Sequence, residues 1–402
     1  MTNDTLEDIL SRIKKLPALP LVVGKLLQLI QAPTSAATQL ADVIATDQAL
    51  TARILKLVNS SFYALRSQVV KITHAIALLG FDAIKNLTLG LSVLDMFDRG
   101  HDAGGLDNDA FWEHSLCCAT CARLLAERAR YTPAEEAFVA GLLHDIGKLV
   151  LHDHFRRDFE TALCAARDDL VPLPEAERRV LSTDHAAVGA ALAEHWRLPS
   201  RLRTPIAGHH AYAERDTLNT IVYLANALAK AKQIGSGGNV VLEPVDDRAW
   251  AALGLDETAV VRIMGRLRRH VERAKVFMGF SRTRRATALE ELDSDEIHLP
   301  AAPAPRVLIV EEHPAAMSLV ELVLLDHGHT TCRTTDPFDD DAAMADLVLL
   351  DFPEPRLEHA RALRAEIQHR LKVRLPVVVL PAPRRPGDVL DSVHAALDRP
   401  HL

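Results

Sequence analysis

The sequence predicts a multidomain protein in which an all-α region precedes a small α/β domain. Up to about residue 280, apolar side chains recur at i, i+3, i+4 and i+7, the spacing of an amphipathic helix. From residue 306 onward, short apolar strands such as RVLIV and PVVVL alternate with helices, which is typical of an open parallel sheet with helices on both faces. Residues 281–305 are charged and then rich in proline and alanine, which indicates an interdomain linker.

The all-α region divides into two helical blocks. The first, residues 1–100, contains LEDILSRIKKL, which the prolines of PALP end, followed by LVVGKLLQLIQ and AATQLADVIAT. Thr46 or Asp47 is expected to cap the helix QALTARILKLVNSS. Gly80 is expected to separate ITHAIALL from FDAIKNLTLGLSVLDMF. The loop RGHDAGGLDND then leads into the second block, residues 101–280.

In the second block, the stretch TPAEEAFVAGLLHDIGKLVL is predicted to form one apolar helix. Thr132 and Pro133 stand at its cap and first-turn positions. The helix carries His144 and Asp145 side by side, and Gly147 is expected to mark its end. Burying two such polar groups is unfavourable unless each finds a partner, and a metal ion is one partner that satisfies both.

Histidines elsewhere in the second block provide the other ligands that a metal site would need. Imidazole and carboxylate groups from facing helices of a bundle bind divalent metals. A water activated between two such metals would hydrolyse a phosphoester. If His144 and Asp145 are considered alone, the alternative to a metal site is a capped helix end, at which Asp145 and Lys148 form a solvated ion pair. The candidate metal ligands are His114, His144, Asp145, His185, His209 and His210.

Cysteines lie close to the first of these histidines. His114, Cys118 and Cys121 fall at i, i+4 and i+7, on one face of a predicted helix. Ligands from a single helix rarely close the tetrahedron that zinc prefers, and small cysteine side chains pack well between helices. We therefore expect these cysteines to fill the core.

Composition favours a cytoplasmic protein that binds neither DNA nor membranes. The formal net charge is −8 at pH 7, so the phosphate-neutralising contribution to nucleic-acid affinity is missing. The segment TQLADVIATDQALTARILKLVNS could form a helix-turn-helix, but its second helix offers only Arg53, Lys56 and Asn59 for reading bases. The N-terminus shows no secretory leader, and no apolar run reaches the length of a membrane span. Five cysteines without a regular framework fit a reducing compartment.

The order H…HD…H…HH resembles the HD superfamily of metal-dependent phosphohydrolases. Within it, KLPALP, LVNSSFYAL, ITHAIALLGFDAIKNLTLG, GLLHDIGK and VYLANALA are similar to stretches of the HDOD domain, over roughly residues 7–280. The resemblance implies an all-helical bacterial signalling module, often fused to receiver or cyclic-nucleotide signalling domains. It also implies a divalent metal, Fe, Mn, Zn or Mg, at the histidines.

The chain departs from the superfamily pattern at two positions. Asn226 stands where the superfamily supplies its last metal ligand as an aspartate, and an amide oxygen can coordinate but lacks that charge. AYAERDTL follows His209 and His210 without the Gly-Tyr-Pro segment of the cyclic-di-GMP phosphodiesterases. Most HDOD domains have lost metal ligands. No catalytic residue is therefore assigned, and the candidates are His144, Asp145 and Lys148.

The C-terminal domain resembles a response-regulator receiver with a flavodoxin-like sheet. Glu311 and Glu312 stand at its acidic positions, and Asp351 stands at the phosphoacceptor position. Pro381 and Arg385 replace the hydroxyl and the lysine that a receiver uses to sense a phosphate. We expect a degenerate receiver that serves as a docking or dimerising module.

Two functions from different classes follow from this sequence. The first is a signal-transduction protein that reports to protein partners through its HDOD domain. A nucleotide ligand and a homodimer are compatible with this function. The alternative is a metal-dependent phosphohydrolase that acts on a nucleotide or a cyclic dinucleotide.

Overall fold

The structure is a computed structural model that describes most of the helical region and parts of the C-terminal domain. The segment Lys15–Pro20, residues 281–304 of the linker, Glu312, Pro381 and Arg385 lie outside the described residues. The described residues are 11, 21–31, 37–60, 63, 65, 67–97, 105–239, 241–278, 305–311, 318–335, 345–351, 363–364, 367, 377–380 and 386–397.

The described part of the first block consists of helices and the short segments that join them. The carboxylate of Asp47 accepts a hydrogen bond from Leu50 N at 3.0 Å and caps its helix, as predicted. Gly80, at φ 92°, separates two helices as predicted. The helices are α1 (Leu21–Gln31), α2 (Ala37–Ala45), α3 (Gln48–Val58), α4 (Ile72–Leu79) and α5 (Phe81–Phe97).

The second block continues as packed helices around one long central member. Its helices are α6 (Asn108–Arg128), α7 (Ala134–Leu143), α8 (Ile146–His154), α9 (Arg156–Asp168), α10 (Leu173–Leu181), α11 (His185–His195), α12 (Ser200–Gly208), α13 (Thr217–Lys232), α14 (Asp247–Ala252) and α15 (Glu257–Met278). The central helix α6 contacts α7, α13 and α15 and buries Phe111 and Trp112. Helix α6 contacts α7 closely at Gly141, where a Cβ would lie only 2.9 Å from Ala119 Cα.

The C-terminal domain contains a parallel sheet, as predicted. Its described elements are β1 (Arg306–Glu311), α16 (Leu319–Asp326), β2 (Thr330–Thr334), β3 (Leu347–Asp351), β4 (Val377–Leu380) and α17 (Pro386–Leu397). The strand order is β2-β1-β3-β4, and every pair is parallel. Leu308 and Val348 pack on one face of the sheet with Ile367, whereas Val307 and Ile309 belong to the core that includes α16.

The prediction of one helix from Thr132 to Leu151 is wrong. Helix α7 ends at Leu143 and α8 begins at Ile146. Asp145 lies between them with φ −97° and ψ 10°, outside the helical region. On a continuous helix, adjacent side chains point about 100° apart. The break places His144 and Asp145 at a junction between two helices, so their side chains do not have to point 100° apart.

Gly147 does not end a helix, contrary to the prediction. It lies in the first turn of α8, where α8 crosses α11. A Cβ at this position would lie 1.9 Å from His185 O and 2.6 Å from Gly189 N. Because both atoms belong to the backbone, they cannot rotate away. Glycine is required here so that the two helices can approach closely enough to bring His185 to the junction.

No single helix among the described residues is both long and apolar enough to cross a membrane. The helices Ile72–Leu79 and Phe81–Leu94 reach the length and apolar composition of a membrane span only when they are taken together. The chain bends by 120° between them.

Replacing Gly147 with alanine is expected to destabilise the protein strongly. The added methyl group would force α8 and α11 apart, and overpacking of this kind costs about 3 kcal/mol. Gly265 on α15 is the matched control, because a Cβ there has no neighbour within 4 Å. Gly265→Ala should leave stability unchanged or raise it by up to about 1 kcal/mol. Urea unfolding of both variants measures the difference, and equal midpoints would contradict the close approach.

Candidate metal centre

The structure brings the predicted histidines and the aspartate together inside the second block. His114 comes from α6, and His144 and Asp145 come from the junction between α7 and α8. His185 opens α11, whereas His209 and His210 follow α12. All except the half-buried His210 are buried. We refer to these six residues together as the histidine–aspartate site.

The carboxylate of Asp145 lies at the centre of this site. Its Oδ2 atom is 3.2 Å from His144 Nε2 and 3.7 Å from His114 Nε2. Its Oδ1 atom is 3.2 Å from His185 Nε2 and 3.4 Å from His209 Nε2. The carboxylate therefore presents one oxygen to each of two pairs of imidazoles.

Hydrogen bonds orient two of these imidazoles. Nδ1 of His144 donates to Gly141 O at 2.8 Å, and Nδ1 of His209 donates to Ile206 O at 3.0 Å. Because Nδ1 carries the hydrogen, Nε2 of the neutral ring carries a lone pair. Both Nε2 lone pairs then face the carboxylate of Asp145, and that arrangement is repulsive unless a cation lies between them.

Burial keeps most of the histidines in the neutral form that binds metal. It lowers the pKa of His114 to about 3 and that of His209 to about 4. Burial, and then His209, hold the pKa of His210 well below its ordinary value. For Asp145, burial acts to raise the pKa, but His144 and Lys148 hold it well below its usual range. The ionised carboxylate of Asp145 thus faces the neutral imidazoles of His114 and His209.

Lys148 forms a buried ion pair with Asp145, so the alternative of a solvated pair is wrong. Its Nζ donates to Asp145 Oδ2 at 2.6 Å, and the side chain is 2% exposed. The lysine compensates part of the carboxylate charge from one side. It leaves Asp145 Oδ1, on the other side, without a hydrogen-bond partner.

The donor set fits a divalent metal ion. His114, His144 and Asp145 form a first trio, and His185, His209 and His210 form a second trio; within each, the ligand atoms lie within 4.8 Å of one another. His144 Nε2, Asp145 Oδ1 and His209 Nε2 are buried and make no hydrogen bond. Orphaned polar atoms are costly in a protein interior, and a cation would satisfy all three.

Glu177 contacts the histidine–aspartate site, and sequence reasoning missed it. This buried carboxylate on α10 accepts hydrogen bonds from His185 Nδ1 at 2.6 Å and from His185 N at 2.9 Å. Burial acts to lower the pKa of His185, but Glu177 raises it, and the net result is a raised pKa. His185 Nε2 also lies 2.8 Å from His210 Nε2. A cation bound at the second trio would take the place of a proton between the Nε2 atoms of His185 and His210.

Little in the sequence pointed to Glu177. Glu177 lies in LPEAERRVL, where it reads as one more charge on an amphipathic helix. Only the packing of α10 against α11 shows that its side chain points inward.

Asn226 lies beside the second trio. It is buried on α13, and its Oδ1 makes no hydrogen bond. Together with His209, His210 and Lys230, it lines a cavity of about 70 Å³. The predicted role of Asn226 as a ligand stays a prediction, and its free amide oxygen is in the right neighbourhood for it.

The turn GSGG covers the site from the other side, which the sequence also did not reveal. A Cβ at Gly237 would lie 2.9 Å from both Asp145 Oδ2 and Lys148 Nζ, and 3.2 Å from His114 Cδ2. Ser236 N donates to Ala110 O at 2.8 Å and holds the turn against α6. Backbone, not solvent, therefore lies against this face of the carboxylate.

The cysteines of α6 fill the core, as expected. Cys117, Cys118 and Cys121 are free and fully buried. Burial raises the pKa of the Cys117 thiol to about 12. Neither trio includes a cysteine.

In the C-terminal domain, two of the predicted acidic residues are neighbours. Glu311 and Asp351 are register partners at the ends of β1 and β3. Burial, and then the charge of Asp351, raise the pKa of Glu311. Arg333 Nη1 lies 3.7 Å from Glu311 Oε2, which places a cation next to this acidic pair. Glu312 lies outside the described residues.

Comparison with known proteins relates part of the helical region to a known family. The model of the HDOD domain family matches residues 16–212. An uncharacterized protein of Treponema pallidum is 25% identical over 213 residues, which cover 52% of this chain and 40% of that protein. The match therefore spans less than half of the Treponema protein.

Solved structures show the same fold. An HDOD domain protein of unknown function from Geobacter sulfurreducens is 25% identical, with a TM-score of 0.57, and the match covers 68% of this chain and 99% of that one. A candidate signal transduction protein from Marinobacter aquaeolei is 24% identical, with a TM-score of 0.55, and the match covers 69% of this chain and 65% of that one. A candidate phosphohydrolase from Shewanella amazonensis is 24% identical, with a TM-score of 0.50, and the match covers 68% of this chain and 95% of that one. At 24% identity, the last two show the fold alone.

Replacing Glu177 with glutamine is expected to weaken metal binding. A carboxylate that holds the far nitrogen of a metal-binding histidine typically contributes about 10–100-fold in affinity. Glu175→Gln is the matched control, because Glu175 lies on the same helix but pairs with Arg179 at the surface. Titration of both variants with Zn²⁺ against a competing chelator measures the affinities. Equal affinities would show that Glu177 does not support the site.

Proposed function

Because the chain contains an HDOD domain with a carboxylate enclosed by histidines, we propose that it is a signal-transduction protein that holds a divalent metal ion and acts through protein partners. The observation that carries this proposal is the burial of the whole histidine–aspartate site. Asp145 is 1% exposed, and the histidines around it are 0–4% exposed except for His210. A buried metal stabilises and shapes a domain, which suits a regulatory module better than a hydrolase that must admit its substrate.

His144, Asp145, His185 and His209 would hold the metal, with His114 and His210 at its margins. Their Nε2 atoms and the Asp145 carboxylate already face one another. A bound divalent ion would act as a Lewis acid toward an oxygen ligand. Within the chain, Lys148 and Glu177 fix the carboxylate and one imidazole, and the Gly237 turn keeps water from the Asp145 side.

In the part of the chain that the structure describes, the cavity beside the site is too small for a nucleotide. The cavity lined by His209, His210 and Asn226 measures about 70 Å³. Pockets that bind small molecules usually measure about 300–1,000 Å³. In this arrangement, a phosphoester could not reach Asp145 without movement of the surrounding elements.

The C-terminal domain lies at this opening, which supports a role for it in modulating the helical domain. Leu319, at the start of α16, lines the same cavity as His209 and Asn226. Helix α16 packs on α13 and α15, and its apolar residues join the core of the helical domain. Asp326 at the end of α16 forms a largely buried ion pair with Lys232 at the end of α13.

The receiver-like character of this domain is part of the proposal. A parallel sheet with Glu311 beside Asp351 supports it, and Asp351 would be the phosphoacceptor. Arg333 lies 3.7 Å from Glu311 Oε2 and pairs more closely with Glu321 Oε2, at 2.8 Å, so its charge is shared between two carboxylates and opposes a cation at the acidic pair only in part. The three buried free cysteines of α6 fit a cytoplasmic location.

One observation favours the alternative of a metal-dependent phosphohydrolase. Asp145 presents its two oxygens to histidines of the two trios, an arrangement that could serve two metal ions. The candidate phosphohydrolase from Shewanella amazonensis shares the fold. In that case, the C-terminal domain would have to leave the opening before a substrate could enter.

A turnover assay with four proteins separates the two functions. Full-length wild type, Asp326→Asn, Asp391→Asn and His144→Ala are loaded with Mn²⁺ and given bis(p-nitrophenyl) phosphate and a cyclic dinucleotide. Asp326→Asn leaves Lys232 without its partner, and breaking a buried pair costs about 3–5 kcal/mol. Asp391 is an exposed residue of the same domain and serves as its control.

We expect the wild type to retain Mn²⁺ and His144→Ala to lose it, with no turnover by any of the four proteins. Turnover by the wild type that His144→Ala lacks would establish the hydrolase instead. Turnover by Asp326→Asn alone would show a hydrolase that the C-terminal domain keeps closed. A wild type that binds no metal after loading would refute both functions.

A further inference from the structure

A second, larger cavity lies far from the histidine–aspartate site, between the end of α6 and the beginning of α15. Its volume is about 330 Å³, within the range of small-molecule pockets. Arg128 at this end of α6 is fourteen residues from His114, which corresponds to about 21 Å along the helix axis. The cavity is therefore separate from the candidate metal centre.

The walls of this cavity combine an apolar floor with a cationic rim. Ala259 and Ile263 are buried residues of α15 that form part of the floor. Arg128, Arg262 and Arg266 form the rim, and the three come from two different helices. All three are exposed, and among the described residues none of them forms an ion pair with a carboxylate.

The two carboxylates at the rim are already engaged. Glu127 Oε1 lies 3.1 Å from Arg123 Nε, so an arginine outside the cavity compensates its charge. Asp256 Oδ1 accepts a hydrogen bond from Ala259 N at 2.7 Å and caps the first turn of α15. The three rim arginines are thus left free to bind an anion.

The electrostatic potential along α15 is positive, because this helix carries several arginines. The pKa of His270, on the same helix, is lowered to about 4, by burial and then by the charges of Arg273, Arg123, Arg269 and Arg266. A chain with a net charge of −8 has gathered arginines on this one helix. Like charges at this density repel each other, and a bound anion would relieve the repulsion.

We propose that this arginine cavity, defined by Arg128, Arg262 and Arg266, binds a small phosphate-bearing ligand. The planar guanidinium donates two parallel hydrogen bonds to phosphate oxygens, and three such groups around one opening match a di- or triphosphate. The apolar floor of Ala259, Ile263 and Leu124 accommodates a ring attached to that phosphate. The site would make the helical domain responsive to a phosphorylated metabolite, independently of the metal centre.

Isothermal titration of the full-length chain in metal-free buffer tests this proposal, with pyrophosphate, ATP and adenosine as probes. We expect saturable binding of one pyrophosphate and one ATP per chain and no binding of adenosine. The double variant Arg262→Gln/Arg266→Gln should bind both anions about tenfold more weakly or worse. Arg268→Gln is the matched control, because Arg268 is exposed on the same helix but does not line the cavity.

Two further comparisons fix the location of the bound anion. His144→Ala should bind pyrophosphate as the wild type does, because the metal centre is a separate site. The thermal midpoint of the double variant should equal that of the wild type, because both arginines are exposed. The proposal is overturned if the wild type shows no saturable binding of either anion, if the double variant binds as tightly as the wild type, or if adenosine binds as tightly as ATP.

Discussion

An ionised carboxylate buried in a helical core is the constraint on which the rest of this structure depends. Burial alone would protonate Asp145, yet its neighbours hold its pKa low and keep the charge in place. Lys148 compensates that charge on one oxygen only. His209, which burial keeps neutral, turns its Nε2 lone pair toward the other oxygen and does not compensate its charge. A cation held by these side chains would compensate it.

Close approach of the helix backbones brings the side chains of the histidine–aspartate site together. Gly141 lets α7 approach α6, and Gly147 lets α8 cross α11, in each case at distances that exclude a Cβ. Gly237 places backbone directly over the carboxylate. Among the described residues, the cavity that this enclosure leaves beside the site is small, and Leu319 of the docked helix α16 lines it. The enclosure of the histidine–aspartate site and the docking of α16 beside it are thus two aspects of the same packing.

The ligand types were predictable from the sequence, but their enclosure was not. His114, His144 and Asp145 stand out because polar metal-binding residues interrupt apolar helices, and such interruptions are visible without a structure. The break between α7 and α8 was missed because LLHDIGKLVL has uninterrupted helical periodicity, and tertiary packing overrides that preference. Glu177 and Gly237 were missed because their roles depend on contacts between helices distant in sequence, and periodicity carries no information about such contacts.

The most direct test of the central claim is the position of a metal ion in crystals of the full-length protein soaked in Mn²⁺. Anomalous scattering locates such an ion independently of the protein model. We predict a strong anomalous peak beside the Asp145 carboxylate, bordered by Nε2 of His144 and His209, and its loss in His144→Ala crystals. Soaked crystals without a peak at Asp145, or with peaks only at surface carboxylates, would contradict the account.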